Sequence, residues 1–178
     1  MKKQQHTKVN LTGTIIAVTT SFLALFISIY ETSLQRSENK AMVWPYVTIS
    51  PSYTSDGFSF RAKNKGIGPA LIKSAQVVFN DTLVSDYDQL LDMVKSDRVI
   101  GYDRIRTSEL NNTVISPGED IELLRLPWDD ETRIMAQDLQ NTDITIQFCS
   151  VLDDCWVYDM QSKSLTEGSF TSTLEFEN

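Results

Sequence analysis

The sequence predicts a mainly β chain: an antiparallel β-sandwich with two short helical insertions, preceded by one N-terminal transmembrane helix. Three observations predict it. Residues 9–30 form an uncharged run of 22 residues. Beyond Pro45, apolar and polar residues alternate in short stretches separated by turn residues, the mark of half-buried strands. Charge is partitioned: residues 1–10 carry +3, whereas residues 31–178 hold 13 basic against 24 acidic groups, a net −11. The 178 residues therefore divide into a tail (1–8), a membrane span (9–30), a stalk (31–43) and one domain (44–178) long enough to bury its own core. The overall charge of −8 argues against a nucleic-acid partner.

The run at 9–30 makes a helix of ~33 Å, enough to cross a hydrocarbon core of about 30 Å. Its Thr and Ser hydroxyls can bond back to the preceding turn, so they cost little in lipid. A cleaved signal peptide is the rival reading, but Ser28-Ile29-Tyr30-Glu31-Thr32-Ser33 lacks an A-x-A-like site, which favours an uncleaved signal anchor. Lys2, Lys3 and Lys8 precede the span and Arg36 and Lys40 follow it. This bias puts the N-terminus in the cytoplasm and the domain on the periplasmic or extracellular side of the inner (plasma) membrane. Gly13, Ala17 and Ser21 recur every four residues, a small-residue stripe through which two copies could pair as a homo-oligomer.

Between Glu31 and Lys40 the chain is polar and mixed in charge, and can extend the membrane helix a few turns until Trp44 and Pro45 stop it. Val47 and Ile49 alternate with polar neighbours, Thr54-Ser55-Asp56-Gly57 supplies a turn, and Phe58, Phe60 and Ala62 resume the alternation: a hairpin. Further strands are expected at 71–79, 99–106, 120–126, 144–150, 155–161 and 170–176. Eight short strands with frequent turns make a sandwich. Between them, Tyr87, Leu90, Leu91 and Val94 stand at helical spacing behind Ser85 and Asp86 as caps, with Gln89 completing a capping box. A second helix opens at Trp128-Asp129-Asp130-Glu131, where carboxylates suit the positive end of the helix dipole, and runs to about Gln140 with Ile134, Met135 and Leu139 as its apolar stripe.

If Phe148 faces Trp156 across a hairpin, the same register sets Ile146 against Tyr158, Ile144 against Met160 and Cys149 against Cys155. The cysteines then lie opposite each other, close enough for a disulfide, which requires an oxidising compartment. Reduced thiols are the alternative. Five intervening residues and no nearby histidine fit neither a zinc site nor a redox C-x-x-C pair.

The single histidine, His6, precedes the span, so a Ser-His-Asp or Cys-His arrangement within the domain is excluded. Gly66-Ile67-Gly68 lacks the third glycine and the lysine of nucleotide loops, and Ser37 to Lys40 matches S-x-x-K by chance in the stalk. Acids cluster at Asp86, Asp88 and Asp92, at 129–131 and at Asp153 and Asp154, where capping and turn formation account for them. No catalytic residue, metal ligand or cofactor is expected. Asn80-Asp81-Thr82 and Asn111-Asn112-Thr113 match glycosylation sequons.

Asn64-Lys65-Gly66-Ile67-Gly68-Pro69-Ala70, followed by Ser116-Pro117-Gly118-Glu119, resembles the turn motifs of bacterial cell-surface domains of immunoglobulin-like fold, in particular the CARDB-like group, and of small single-pass inner-membrane proteins. The resemblance covers residues 44–126 and implies an immunoglobulin-like sandwich. Read without any family, Asn64 and Gly66 tolerate positive φ, Gly68 permits a close crossing and Pro69 fixes the exit.

These readings lead to a single-pass, membrane-anchored accessory or interaction subunit of the cell envelope. It contacts the bilayer through residues 9–30 and a protein with a basic surface through the outer domain, with Val151, Leu152 and Trp156 at the contact. The other classes are a carboxylate-based envelope hydrolase and a membrane effector or channel subunit oligomerising through its helix.

Overall fold

The computed structural model describes residues 2–95, 105–170 and 176, in two compact units, Met1–Ala41 and Met42–Asn178. The first is almost entirely one helix, α1 (Lys2–Met42), unbroken from the tail through the polar stretch at 31–40. From Leu11 onward it is long and apolar enough to cross a membrane, and Leu11, Phe22 and Phe26 are exposed along it. Its polar groups are disposed of internally: Thr19 donates to the Ile15 carbonyl at 3.0 Å, Thr20 to Ile16 at 2.9 Å and Ser21 to Ala17 at 2.7 Å. A hydroxyl so engaged loses little when water is replaced by lipid.

The second unit is mainly β, with two antiparallel sheets. Strand β1 (Val47–Tyr53) pairs with β2 (Gly57–Asn64) from Val47 opposite Asn64 to Tyr53 opposite Phe58, closed by the predicted turn, in which Thr54 N–H donates to Gly57 at 3.0 Å. Strand β3 (Ala70–Phe79) is followed by β4 (Thr82–Val84), helix α2 (Tyr87–Lys95), β5 (Arg106–Thr107), β6 (Val114–Ile115) and β7 (Asp120–Pro127). Helix α3 (Asp130–Asp138), a 3₁₀ turn (Leu139–Asn141), β8 (Thr142–Cys149), β9 (Cys155–Asp159) and β10 (Ser164–Glu167) complete the order. One sheet runs β1-β2-β7-β5 and the other β10-β9-β8-β3-β4, with β6 also on β3. Both feed one hydrophobic core. Ile49, Phe58, Phe60 and Leu124 enter it from the first sheet, Ile72, Ile146, Phe148 and Tyr158 from the second, and Leu90, Leu91, Met135 and Leu139 from the helices.

Two bulges tune the alternation. Along β3 the register shifts between Ile72 and Ser74, so the buried positions pass from Ala70 and Ile72 to Ala75, Val77 and Phe79. An extra residue exchanges the two faces of a strand, and here it keeps both halves of a long strand aimed at the core. A second shift, opposite the Phe60/Arg61 step of β2, lets Leu123 and Leu124 both be buried on β7.

Several strands had no expectation. Strand β4 follows a two-residue turn in which Asn80 and Asp81 have φ of 47° and 62°, the left-handed pair of a type I′ hairpin. Strands β6 and β10 are short pieces, β10 following the turn Met160–Lys163 in which Lys163 has φ 53°. Of the strand expected at 99–106, residues 99–104 lie outside the described residues, and β5 begins at Arg106. Of that expected at 170–176, residues 171–175 lie outside them. Phe176 itself is buried, donates its N–H to Ala75 at 3.1 Å and packs edge-on against Tyr87.

Both helices carry the expected caps. At α2, Asp86 accepts the Gln89 N–H at 2.7 Å while the Gln89 side chain accepts the Ser85 N–H at 2.7 Å, a capping box displaced by one residue. At α3, Asp129 accepts the Thr132 N–H at 2.7 Å and Thr132 Oγ1 accepts the Asp129 N–H at 2.9 Å. The apolar stripe of α3 needs correcting: Ile134 is 44% exposed, and the buried face is Thr132, Met135, Ala136 and Leu139. Thr132 can enter because its hydroxyl, already bonded to Asp129 and donating to the Pro127 carbonyl, carries no unmet polar demand.

Candidate functional site

The hairpin β8–β9 has the register derived from its aromatic residues. Phe148 faces Trp156, Ile146 faces Tyr158, Cys149 faces Cys155, and Met160 N–H donates to Ile144 at 3.1 Å just beyond the strand. Cys149 and Cys155 are joined by a disulfide with Cα atoms 4.0 Å apart. The turn they close is internally bonded. Ser150 N–H donates to Asp154 at 2.8 Å, Asp153 N–H to Ser150 at 3.2 Å and Leu152 N–H to Ser150 Oγ at 3.1 Å, and Asp153 takes φ 60°. Val151 and Leu152 stand out of this turn 51% and 45% exposed. Trp156 differs: it is half-buried, leaning on Phe148 with ring centroids 6.1 Å apart, so part of its surface already belongs to the core.

Near the other end of the hairpin, the Asp143 and Asp159 carboxyls influence each other electrostatically. Burial, then the adjacent Asp159 charge, pushes Asp143 above its ordinary value. Asp159 is also partly buried, which works against its charge, but donors from the Ser162 side chain and backbone and from Thr145 hold it below the ordinary value.

The turn motif is a structural hub. Asn64 is fully buried and uses all four of its side-chain bonds: Oδ1 accepts from Tyr46 N–H at 3.2 Å and Gly66 N–H at 2.9 Å, and Nδ2 donates to the carbonyls of Gly68 at 2.8 Å and Ile115 at 2.9 Å. Its backbone joins the Ser116–Glu119 turn, receiving a bond from Gly118 at 2.9 Å and giving one to Glu119 at 3.0 Å. The expectation of positive φ at Asn64 and Gly66 is corrected, since neither residue has it. Gly66 is needed because a Cβ there would lie 2.4 Å from Tyr46 N, and Gly68 because a Cβ would lie 2.0 Å from Val43 O. Both glycines admit a neighbouring strand of backbone. Pro69 leads into the buried Ala70 at the start of β3, and Gly118, with φ 78° after Pro117, gives the second turn its type II signature.

Gly13 and Ala17 lie along α1, with Ser21 bonded back to Ala17. The acids at Asp86, Asp129 and Asp153 serve as two helix caps and one turn residue. Among the described residues no three His, Cys, Asp or Glu side chains gather as a metal-binding group.

A charged surface on the first sheet had no counterpart in the sequence reading. Arg61 on β2 bonds Asp120 at 2.9 Å and Glu122 at 3.4 Å on β7, with Lys63 3.7 Å from Asp120 and Arg125 3.4 Å from Glu122. Only the pairing of two strands some 60 residues apart assembles it. No protein-family model matches this chain, and no curated protein matches it either.

Proposed function

We propose that this chain is a single-pass, membrane-anchored, non-catalytic accessory subunit of the cell envelope, whose outer immunoglobulin-like sandwich binds another protein through the disulfide-closed hairpin tip. One observation carries the reading: the disulfide and three hydrogen bonds from backbone N–H groups brace a five-residue turn while Val151 and Leu152 are left in solvent. Rigid apolar groups lose little entropy on binding and gain what their burial supplies. The disulfide also favours an oxidising compartment, in agreement with basic residues ahead of the span and a cytoplasmic N-terminus. With a net −11 in residues 31–178, the domain is repelled by anionic lipid and favours a partner with a basic surface.

The test has two parts. A reporter fused after Asn178, combined with thiol labelling of Cys149 and Cys155 in intact cells, is expected to show an external C-terminus and blocked thiols. Affinity capture with wild-type and Leu152→Asp chains is expected to lose a partner in the variant. A cytoplasmic reporter with free thiols, or an unchanged set of captured proteins, overturns the proposal.

A further inference from the structure

A second surface, built from different elements, has the chemistry of a small-molecule site. Where β1 ends and α3 runs past it, Tyr53, Trp128, Arg133, Gln137 and Gln140 line an open cleft of about 420 Å³ floored by the buried Ala136. That volume lies within the range of about 300–1,000 Å³ found for ligand pockets. Tyr53 is 52% exposed. Its ring lies within 16° of parallel to that of Trp128, with centroids 6.4 Å apart, and its other neighbour is Phe58 at 5.0 Å. The aromatic wall is thus fixed from behind while one large ring faces solvent.

Trp128 is anchored by its only polar group. Its Nε1–H donates to the Thr54 carbonyl at 2.7 Å, tying the β1–β2 turn to the start of α3. The guanidinium of Arg133 sits 5.8 Å from the Trp128 ring centre, within cation–π range. The rim then presents planar, exposed donors and acceptors: two amides, from Gln137 and Gln140, and the guanidinium. Among the described residues no carboxylate lines the cleft.

We propose that this cleft binds a short saccharide, one sugar ring stacking its C–H face on Tyr53 while its hydroxyl or acetamido groups bond to Gln137, Gln140 and Arg133. A sugar offers an apolar face and a rim of paired hydroxyls, which is what an exposed ring bordered by planar amides and a guanidinium complements. A proline-rich peptide also docks on aromatic ridges. The Trp128 indole N–H that could serve such a peptide is already committed to Thr54, and the peptide is kept as the competing outcome of the test. This site is independent of the hairpin tip, and the chain can have either without the other.

The experiment titrates the full chain, held in a zwitterionic detergent free of sugar, with chitotriose and cellotriose, following tryptophan fluorescence and saturation transfer to the sugar protons. Saturable binding of either trisaccharide is expected, weakened about tenfold or more in Tyr53→Ala and restored in Tyr53→Phe. If circular dichroism shows Tyr53→Ala to be misfolded, Gln137→Ala on the exposed face of α3 decides instead, with the same weakening expected. No saturable binding of either sugar overturns the proposal. So does sugar binding that the deciding variant leaves intact, and so does saturable binding of decaproline in place of both sugars.

Discussion

Asn64 makes four bonds with one amide, joining the turn that follows it to Tyr46 and Ile115, and truncating it strands two acceptors in a buried site and two donors in a partly buried one. Each such group costs roughly 1–3 kcal/mol when unmet, so Asn64→Ala should lower stability by at least about 3 kcal/mol, read by urea denaturation of the full chain. Gly68→Ala should cost a similar amount, because the added carbon would lie 2.0 Å from the Val43 carbonyl oxygen and backbone must move to admit it. Asp143 and Asp159 give opposite signs with pH. Asp159 is depressed, so its stabilising contribution is present above the ordinary value of 3.8 and is lost as pH falls through its folded value. Asp143 is raised from 3.8, so its contribution is complete below that value and declines as pH rises through its folded value. Asp143→Asn keeps a hydrogen-bonding group beside Asp159 and removes the repulsion. Its melting temperature should exceed that of the wild type at pH 7, and the gain should shrink as pH falls toward 4.

At the scale of elements, the β8–β9 hairpin is held by more than its disulfide. Strand β8 pairs with β3 along most of its length and with β9 on the other side, and Phe148 and Ile146 are buried between the sheets. The disulfide closes a short loop, with a sequence separation of 6, so in the chain-entropy model reduction should cost no more than about 2 kcal/mol. Mild reduction should therefore leave the sheets folded and speed amide exchange at 150–154, and global unfolding under those conditions would contradict this account. Helix α3 depends more on its ends. Asp129→Ala removes the acceptor for the Thr132 N–H and should cost about 1 kcal/mol, seen as a lower denaturation midpoint with unchanged slope.

For the whole molecule, the core cluster begins at Val47, beyond the helix and beyond the compact boundary at Met42. Trypsin cleavage at Arg36 or Lys40, both exposed, should release a fragment whose melting temperature matches that of the domain in the intact chain, checked by mass spectrometry and circular dichroism. The long helix, the β1–β2 hairpin, the capped starts of α2 and α3 and the full β8–β9 register were legible in the sequence, because each is set by neighbours within a few residues or by one periodic pattern. Ile134 was misassigned because helical spacing defines a stripe only to within one position, and which side is buried depends on what packs there. The Asn80-Asp81 turn has a local signal in the sequence, two residues suited to positive φ.

What the sequence determined by itself is therefore local: where the chain is apolar enough to enter a bilayer, where it alternates, where it turns, and which cysteine faces which. The tertiary structure decided what depends on distant partners. The Asn64 hub, the Arg61–Asp120 charge network and the Tyr53–Trp128 cleft each join residues that are far apart in the chain and meet only when strands pair or a helix docks. Glycines 66 and 68 show the same division, since the sequence marks them as permissive but only the neighbouring backbone at Val43 and Tyr46 explains why no side chain fits. Local propensity acts over a turn of helix or one step of a strand, whereas a site is made by packing, and packing is a property of the folded whole.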